Sequence, residues 1–293
     1  MSTRLPITKT PKVYVGGAFI RSESARTFPI KDAGGAFFAN IPQCTRKDLR
    51  NAIEAAAKAG PGWAKRTPYN RGQIIYRLGE MIEARKADMA DALRVGGALR
   101  PDGKRGIERE IEATVDRLIY YAGWADKYEQ VLGNVNPVAS PHFNFTVTEP
   151  MGIVGVLAPD EAPLLALVSL IAPAITSGNT VVALASSAQP YPAVVLGEML
   201  ATSDLPGGVV NLLTGFRKEI VPTMATHTHL RAIAGVANAD ERKALKLGAA
   251  ESVKRVRLAK AEEPVDWFSA KAQSLYEIRD LLEFKTTWHP VGA

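Results

Sequence analysis

Short runs rich in apolar residues recur along the second half of the chain, the last of them interrupted by basic residues, and these runs constrain its fold more than any other feature. Five such runs lie at residues 152–157, 180–184, 209–213, 231–236 and 253–258. Segments with helical periodicity separate them, at residues 163–176, 192–202, 217–226 and 240–250. A continuous apolar run suits a parallel strand that helices cover on both faces. The alternation of these runs with helices therefore predicts an α/β fold with a doubly wound parallel sheet.

The first half of the chain is predicted to be mostly helical. Residues 12–21 alternate in polarity like a short strand with a turn at Gly16-Gly17. Thr45 and Asp48 form a capping-box pattern, and the helix that they open is expected to stop at Gly60-Pro61-Gly62. The remaining predicted elements are a helix from Asn70 to Gly96-Gly97, a polar loop at 99–106, a helix at 107–132 and a strand at 142–148.

The charge of the chain argues against a nucleic-acid partner. Its 36 Lys and Arg against 30 Asp and Glu give a net charge of +6, spread along the chain in mixed runs. The densest basic stretch, Lys254, Arg255 and Arg257, is short and has no interleaved aromatic residues. A nucleic-acid-binding face needs a longer basic stripe, so the charge predicts a solvated surface.

The cysteine content and the hydropathy of the chain limit whether it can be a disulfide-bonded, metal-binding, secreted or membrane protein. Cys44 is the only cysteine, so an internal disulfide is excluded and a structural zinc site is not expected. His227 and His229 have no acidic or thiol neighbour in sequence and are expected at the surface. The amino terminus has no apolar stretch, and no segment is long and apolar enough for a membrane span. These features together predict a cytoplasmic protein without a metal site.

Three sequence blocks between Pro150 and Gly215 resemble the cofactor-binding domain of the aldehyde dehydrogenase superfamily. They read EPMGIVGVLAP, PLLALVSLIAPAITSGNTVV and SDLPGGVVNLLTG, and the phrase YYAGWADKY before them agrees. The tail KTTWHPVG is similar to the last oligomerisation strand of that family. The resemblance implies a Rossmann-like NAD(P) domain with N-terminal helices and a C-terminal oligomerisation strand.

The resemblance also implies a division of the chain into four parts. These are an N-terminal helical part with an oligomerisation strand (1–149), a degenerate Rossmann-like domain (150–258), a linker in place of the catalytic domain (259–280), and the C-terminal oligomerisation strand (281–293). Because the tail is retained, the absent catalytic domain is interpreted as an internal deletion.

The positions that carry chemistry in the family are altered here. The stretch that would hold the thiolate nucleophile is absent, and Cys44 is expected to be a loop or core thiol. Glu161 stands at the position of the asparagine that donates to the oxyanion, which an ionised carboxylate cannot do. Ala259 stands where the family has its general-base glutamate, while Glu262 and Glu263 fall in the predicted linker. We therefore predict no catalytic residue.

The nucleotide contacts that the resemblance implies are altered as well. Leu184 and Ser187 replace the lysine and glutamate that grip the adenosine ribose. Ala237 replaces a glycine that lets the pyrophosphate approach a helix, and Asn238 is expected to cap that helix. These positions leave no cofactor contact that can be assigned, and NAD or NADP is expected only if the site survives these changes.

Together these readings predict a catalytically inactive structural or regulatory subunit that assembles with a full-length, active aldehyde dehydrogenase through its tail strand. Self-association through the same strand is the other possibility, and Trp288 beside His289 is the expected interface aromatic. Two alternatives stay open. One is an NAD(P)-dependent oxidoreductase acting on an aldehyde or oxo group, with Glu161 or Asp160 as a relocated base. The other is a sensor that binds a nucleotide or aldehyde without turnover.

Overall fold

A computed structural model describes residues 9–95 and 103–292. The elements of the first half are, in chain order, β1 (Val13–Val15), β2 (Ala18–Ile20), β3 (Thr27–Lys31), β4 (Phe37–Pro42), α1 (Arg46–Ala64), α2 (Pro68–Ala84), α3 (Lys86–Arg94), α4 (Gly103–Trp124), α5 (Tyr128–Leu132), β5 (Asn134–Asn136) and β6 (His142–Pro150). Those of the second half are β7 (Ile153–Leu157), α6 (Leu165–Thr176), β8 (Thr180–Leu184), α7 (Tyr191–Leu200), β9 (Val210–Leu213), α8 (Arg217–Thr226), β10 (Leu230–Ala237), α9 (Ala239–Ala250), β11 (Arg255–Lys260), a 3-10 turn (Ala270–Ala272), α10 (Leu275–Arg279) and β12 (Leu282–Pro290).

The five predicted parallel strands are confirmed, and they form one sheet. The sheet has seven strands in the order β11-β10-β7-β8-β9-β1-β2, with β7 to β11 parallel and the β1–β2 hairpin added antiparallel to β9. The direction of winding reverses between β7 and β10. The architecture is thus doubly wound and Rossmann-like, with a topological switch point between these two strands.

Helices cover the sheet on both faces. Helices α6 and α7 lie on one face, with α2 and α4 packed outside them, and α1, α8 and α9 lie on the other. The continuous apolar strands follow from this arrangement, since every residue of β7, β8 and β9 is buried.

Helix α6 is buried on all sides, and side chains from the first half of the chain satisfy its ends. Glu110 of α4, itself fully buried, accepts hydrogen bonds from the backbone N–H groups of Leu164 (2.9 Å) and Leu165 (3.2 Å). At the other end, Trp63 donates to the carbonyl of Ile175 at 3.0 Å. A helix end that is buried needs such partners for its unpaired backbone groups, so the N-terminal helices and the sheet form one packed body.

The predicted boundaries of the first helices need correction. The capping box of Thr45 and Asp48 is confirmed, but α1 continues through Pro61 to its end at Ala64. Pro61 lies in the last turn and removes only its own backbone bond to the preceding turn, while Trp63, which is 1% exposed, anchors the end of the helix in the core.

The two longer predicted helices are each divided. The one from Asn70 is interrupted at Arg85 between α2 and α3, and Gly96-Gly97 lies outside the described residues. The one predicted at 107–132 is divided into α4 and α5, and α4 already includes residues 103–106 of the predicted polar loop. Residues 99–102 of that loop lie outside the described residues.

The segment between β11 and β12 packs onto the body. Trp267 is 8% exposed, and the buried Arg117 of α4 donates to the carbonyl oxygens of Trp267 and Ala272, both at 2.8 Å. Residues 259–280 therefore contain structured elements, including the short helix α10, where the sequence predicts a linker.

The predicted tail strand is confirmed as β12, which pairs antiparallel with β6 in a second, three-stranded sheet of order β12-β6-β5. Strand β12 lies at the edge of this sheet, and eight of its nine residues are exposed. Strands β3 and β4 form a separate hairpin. Within the described part of the chain, no helix is long and apolar enough to cross a membrane.

The register of β12 shows which backbone groups face its open edge. Pro150 and Pro290 lack an N–H group, and both belong to residue pairs at even-numbered positions of β12. At an odd-numbered position just past the strand, Val291 donates to the carbonyl of Pro141 at 3.0 Å. In an antiparallel ladder only alternate residues of a strand bond to a given neighbour. The backbone N–H and C=O groups of the odd-numbered residues of β12 therefore point towards β6. Those of the even-numbered residues, among them Phe284, Thr286 and Trp288, point outward from the open edge.

Candidate functional site at the carboxyl edge of the sheet

Ligands of open α/β sheets bind outside the carboxyl ends of the strands, at the switch point, which here lies between β7 and β10. The structure brings the positions singled out in the sequence to this edge. They are Glu161 after β7, Leu184 and Ser187 at and after the end of β8, Ala237 and Asn238 at the end of β10, and Ala259 near the end of β11.

The guanidinium of Arg217 spans the switch point. Arg217 is the first residue of α8, and it donates to the carbonyl of Ala158, just after β7, at 2.6 Å. It also donates to the carbonyl of Val236 in β10 at 2.8 Å and lies 3.2 Å from the carboxylate of Glu241. A single side chain thus links both strands that border the crevice to the first turn of α9.

A carboxylate occupies the amino-terminal end of α9. Asn238 caps the helix as predicted, accepting a hydrogen bond from the Glu241 N–H at 2.9 Å. Glu262, from the segment after β11, accepts the N–H of Ala239 at 3.2 Å and a hydrogen bond from Arg242 at 2.8 Å. The hydrogen bond from Arg242 holds the pKa of Glu262 below its ordinary value. Helix amino termini favour anions, and here an anion of the chain itself is in place.

The turn after β8 is held by hydrogen bonds within the chain. Leu184 is buried in the core, and Ser187 donates to the carbonyl of Gly215 at 2.9 Å. Asp160 accepts hydrogen bonds from the hydroxyl of Ser186 at 2.5 Å and the N–H of Ala188 at 3.2 Å. The turns after β7 and β8 are therefore tied together, whereas Glu161 extends into solvent.

Ala237 and Ala259, near the ends of β10 and β11, contribute no polar side chain to this edge. Ala237 is buried, and its carbonyl accepts a hydrogen bond from Arg242 at 2.7 Å. Ala259 is half-buried and lines a cavity of about 490 Å³ between α6, β11 and the segment after it. Neither position places a titratable group at the edge.

The single cysteine lies in the core. Cys44 is fully buried, and its backbone N–H donates to the carbonyl of Thr214 at 2.9 Å. Burial raises the pKa of its thiol to about 12. Since a thiolate is the reactive form of cysteine, this environment suits the predicted core thiol and not a nucleophile.

The two closely spaced histidines stand at the other end of the sheet, before β10. Their rings lie 5.6 Å apart, and burial lowers the pKa of His227. His229 is exposed, as the sequence predicts, while His227 is half-buried. Across residues 9–95 and 103–292, no three His, Cys, Asp or Glu side chains gather in a way that would hold a metal ion.

Sequence reasoning missed the two residues that close the crevice. Arg217 looks like an ordinary charge at the start of a helix, and the signal was its position directly after the Gly215-Phe216 turn of the third parallel strand. Glu262 lies in a polar stretch that resembles a linker. Only the packing of that stretch brings its carboxylate to α9.

Comparisons with known proteins place these features in one family. The family model of the aldehyde dehydrogenase family matches residues 19–260. Retinal dehydrogenase 2 of Mus musculus is 31% identical over 258 residues, which cover 85% of this chain and 48% of the mouse protein. Mitochondrial benzaldehyde dehydrogenase of Antirrhinum majus is 30% identical over 252 residues, which cover 84% of this chain and 46% of the plant protein.

Solved structures agree with the sequence comparison. An aldehyde dehydrogenase from Bacillus cereus, solved as its NAD+ complex, superposes with a TM-score of 0.80 at 25% identity over 86% of this chain and 51% of the bacterial chain. The chain spans about half the length of the curated relatives it matches. The family match ends at residue 260, so the segment after β11 and the tail strand lie outside it.

Proposed function

The chain belongs to the aldehyde dehydrogenase family, and we propose that it is a non-catalytic member of it. In this proposal it acts as a structural or regulatory subunit that assembles with an active, full-length aldehyde dehydrogenase. The observation that carries the proposal is the closed crevice at the switch point, where Arg217 joins β7 to β10 and Glu262 occupies the amino terminus of α9.

The residues at this edge do not fit a dinucleotide in the observed arrangement. A pyrophosphate that approached α9 would meet the carboxylate of Glu262 where it needs free N–H donors. It would also have to displace Arg217 from two backbone carbonyls, which would then lose their partner in a poorly hydrated site. Leu184 and Ser187 offer no charged group to the ribose. We therefore assign no step of chemistry to NAD or NADP in this chain.

The groups available for acyl chemistry support the same conclusion. Cys44 is buried with its pKa raised, so it has neither the access nor the thiolate form that a nucleophile needs. Asp160, one candidate for a relocated base, is engaged by Ser186 and Ala188. Glu161, the other candidate, is exposed, and no other side chain hydrogen-bonded to it is seen in the described part of the chain. These contacts weigh against the alternative of an oxidoreductase with relocated residues.

The open edge of β12 supports assembly with a partner. Phe284, Thr286 and Trp288 direct backbone N–H and C=O groups away from β6. An unpaired strand edge is a template for strand addition from another chain. A strand at the edge of an active aldehyde dehydrogenase is the partner that we propose.

Two measurements test the two halves of this proposal. Titration calorimetry with NAD+ and NADP+, with an active aldehyde dehydrogenase as positive control, should show no binding to this chain, and a panel of aldehydes should yield no NADH. Binding with a Kd below about 0.1 mM together with NADH production would overturn the non-catalytic assignment.

The partner is tested by co-expression with the full-length aldehyde dehydrogenases of the same genome, followed by native mass spectrometry. The expected result is a mixed oligomer. If this chain never appears in complex with any of them, the subunit role is wrong, whatever the outcome of the nucleotide titration.

A further inference from the structure

We propose that β12 pairs with β12 of a second copy of this chain, antiparallel about a two-fold axis at Thr286, when no other subunit covers its edge. The proposal concerns this chain alone and does not depend on its assembly with an active enzyme. Its basis is the self-complementarity of the edge strand, in hydrogen bonding, in charge and in side-chain size.

The backbone groups of β12 suit such a pair. Thr286 belongs to the outward-facing set, as do Phe284 and Trp288 on either side of it. In an antiparallel ladder, residues that exchange both hydrogen bonds stand directly opposite each other. A two-fold axis at Thr286 places Thr286 opposite its own copy, and Phe284 opposite Trp288 of the second copy. All three residues then use their outward N–H and C=O groups.

The side chains match in the same register. Phe284 and Trp288 are 45% and 57% exposed, and they would form two aromatic cross-strand pairs on one face of the joined sheet. On the other face, Glu283 would stand opposite His289 of the second copy, and Lys285 opposite Thr287. The pair would join two three-stranded sheets into one of six strands.

Neighbouring registers are less favourable, which selects this one. If the two-fold axis moves from Thr286 to Lys285, Lys285 stands opposite Lys285 of the second copy, and like charges directly opposite are destabilising. If the axis moves to Thr287, Lys285 stands opposite His289 of the second copy, and Glu283 has no basic neighbour across the interface. The register centred on Thr286 also aligns the full length of β12, from Leu282 to Pro290.

Features that usually protect an edge are weak here. Natural sheets discourage edge pairing with free lysines, prolines and bulges. The only lysine of β12, Lys285, is already bonded to Glu149 of β6 at 2.7 Å. The only proline, Pro290, lies at the end of the strand, and the pairing of β12 with β6 runs through nine residues without a bulge.

Sedimentation velocity of the purified chain alone tests the pairing. We expect a concentration-dependent dimer in the wild type. Thr286→Pro, which removes one outward N–H at the centre of the interface, should be monomeric. Thr286→Val keeps that N–H and a similar size and should remain dimeric. Circular dichroism of each variant checks that the body remains folded. A wild type that stays monomeric up to about 0.1 mM, a concentration that a weak specific pair populates, would overturn the proposal.

Cysteine cross-linking tests the register. Cys44 is buried, so a cysteine introduced on β12 is the only reactive thiol among the described residues. Thr286→Cys should form a disulfide-linked dimer under mild oxidation, because directly opposed residues lie at about 5.5 Å. Lys285→Cys, two positions out of register with its own copy, should cross-link at least about tenfold more slowly, since diagonal neighbours lie at about 7–8 Å. Equal rates, or faster linking of Lys285→Cys, would show that the copies meet differently and would refute the pairing at Thr286.

Discussion

Gly235 of β10 packs directly against the backbone of Leu157 in β7, so closely that a Cβ atom at position 235 would lie 2.2 Å from the Leu157 carbonyl oxygen. Gly235 also has a φ of +144°, in a region that side chains rarely adopt. The contact lies at the carboxyl edge, one residue before the carbonyl that Arg217 binds. Close approach of the two strands at the switch point thus depends on a glycine.

Replacing Gly235 by alanine should destabilise the fold strongly. The added methyl group must push apart two paired strands in the centre of the sheet, and we expect a loss of about 3 kcal/mol or more in the free energy of unfolding. Urea denaturation measures this loss. Gly123→Ala in α4 is the matched control, because no heavy atom lies within 4 Å of a Cβ at that position. It should be neutral or stabilising by up to about 1 kcal/mol. Equal effects of the two substitutions would contradict the packing described for Gly235.

A second prediction concerns the buried cap of α6. Removing the carboxylate of Glu110 leaves two buried N–H groups, those of Leu164 and Leu165, without this acceptor. We expect Glu110→Ala to cost about 2–4 kcal/mol in the free energy of unfolding, and Glu110→Gln, which retains an acceptor oxygen, to cost less. Glu112→Ala, at an exposed position of the same helix, should stay within about 0.5 kcal/mol of the wild type. Thermal and urea unfolding of the four proteins would detect the difference, and an Ala variant as stable as its control would rule the cap out.

The reactivity of Cys44 gives a third prediction. Its pKa is raised from 9.0 to about 12, so the thiolate fraction at pH 8 falls by about a thousandfold from that shift alone, before steric protection is counted. Ellman's reagent should therefore leave the native chain unmodified and titrate one thiol after unfolding in guanidinium chloride. Rapid modification of the native chain would show that Cys44 is accessible and would reopen its role as a nucleophile.

The parallel sheet could be predicted from the sequence because its central strands β7, β8 and β9 are buried on both faces. Burial of this kind requires an uninterrupted apolar run, and a run such as Thr180–Leu184 indicates this directly. The cap of Asn238 on α9 was equally predictable, since a side-chain cap is a local interaction within four residues. The tail strand was predictable too, although its open edge became clear only from its register with β6.

The closure of the candidate site could not be predicted, because it depends on contacts between distant parts of the chain. Glu262 reaches Ala239 from a segment whose polar composition is typical of a linker. The buried Trp267 and Arg117 that hold this segment in place are 150 residues apart in sequence. Local sequence patterns carry no information about such long-range pairings. The division between α2 and α3 at Arg85 was missed for a different reason: both helices carry the same apolar periodicity, so the sequence pattern continues across the break.

The last prediction concerns the pH dependence of the carboxylate at α9. Arg242 holds the pKa of Glu262 below its ordinary value, so the ionised form is favoured in the folded chain. The stabilisation that follows is present above the ordinary pKa of a glutamate and is lost as the pH falls through the lower, folded value. We therefore expect Glu262→Gln to lower the melting temperature at pH 7, and the difference from the wild type to shrink as the pH falls from about 5 towards 3. Glu263→Gln, one residue away and bonded to Lys260 and not to α9, is the matched control and should leave the melting temperature at pH 7 nearly unchanged. A difference between wild type and Glu262→Gln that stays constant from pH 7 to pH 3 would mean that the carboxylate does not act at the helix end through its charge.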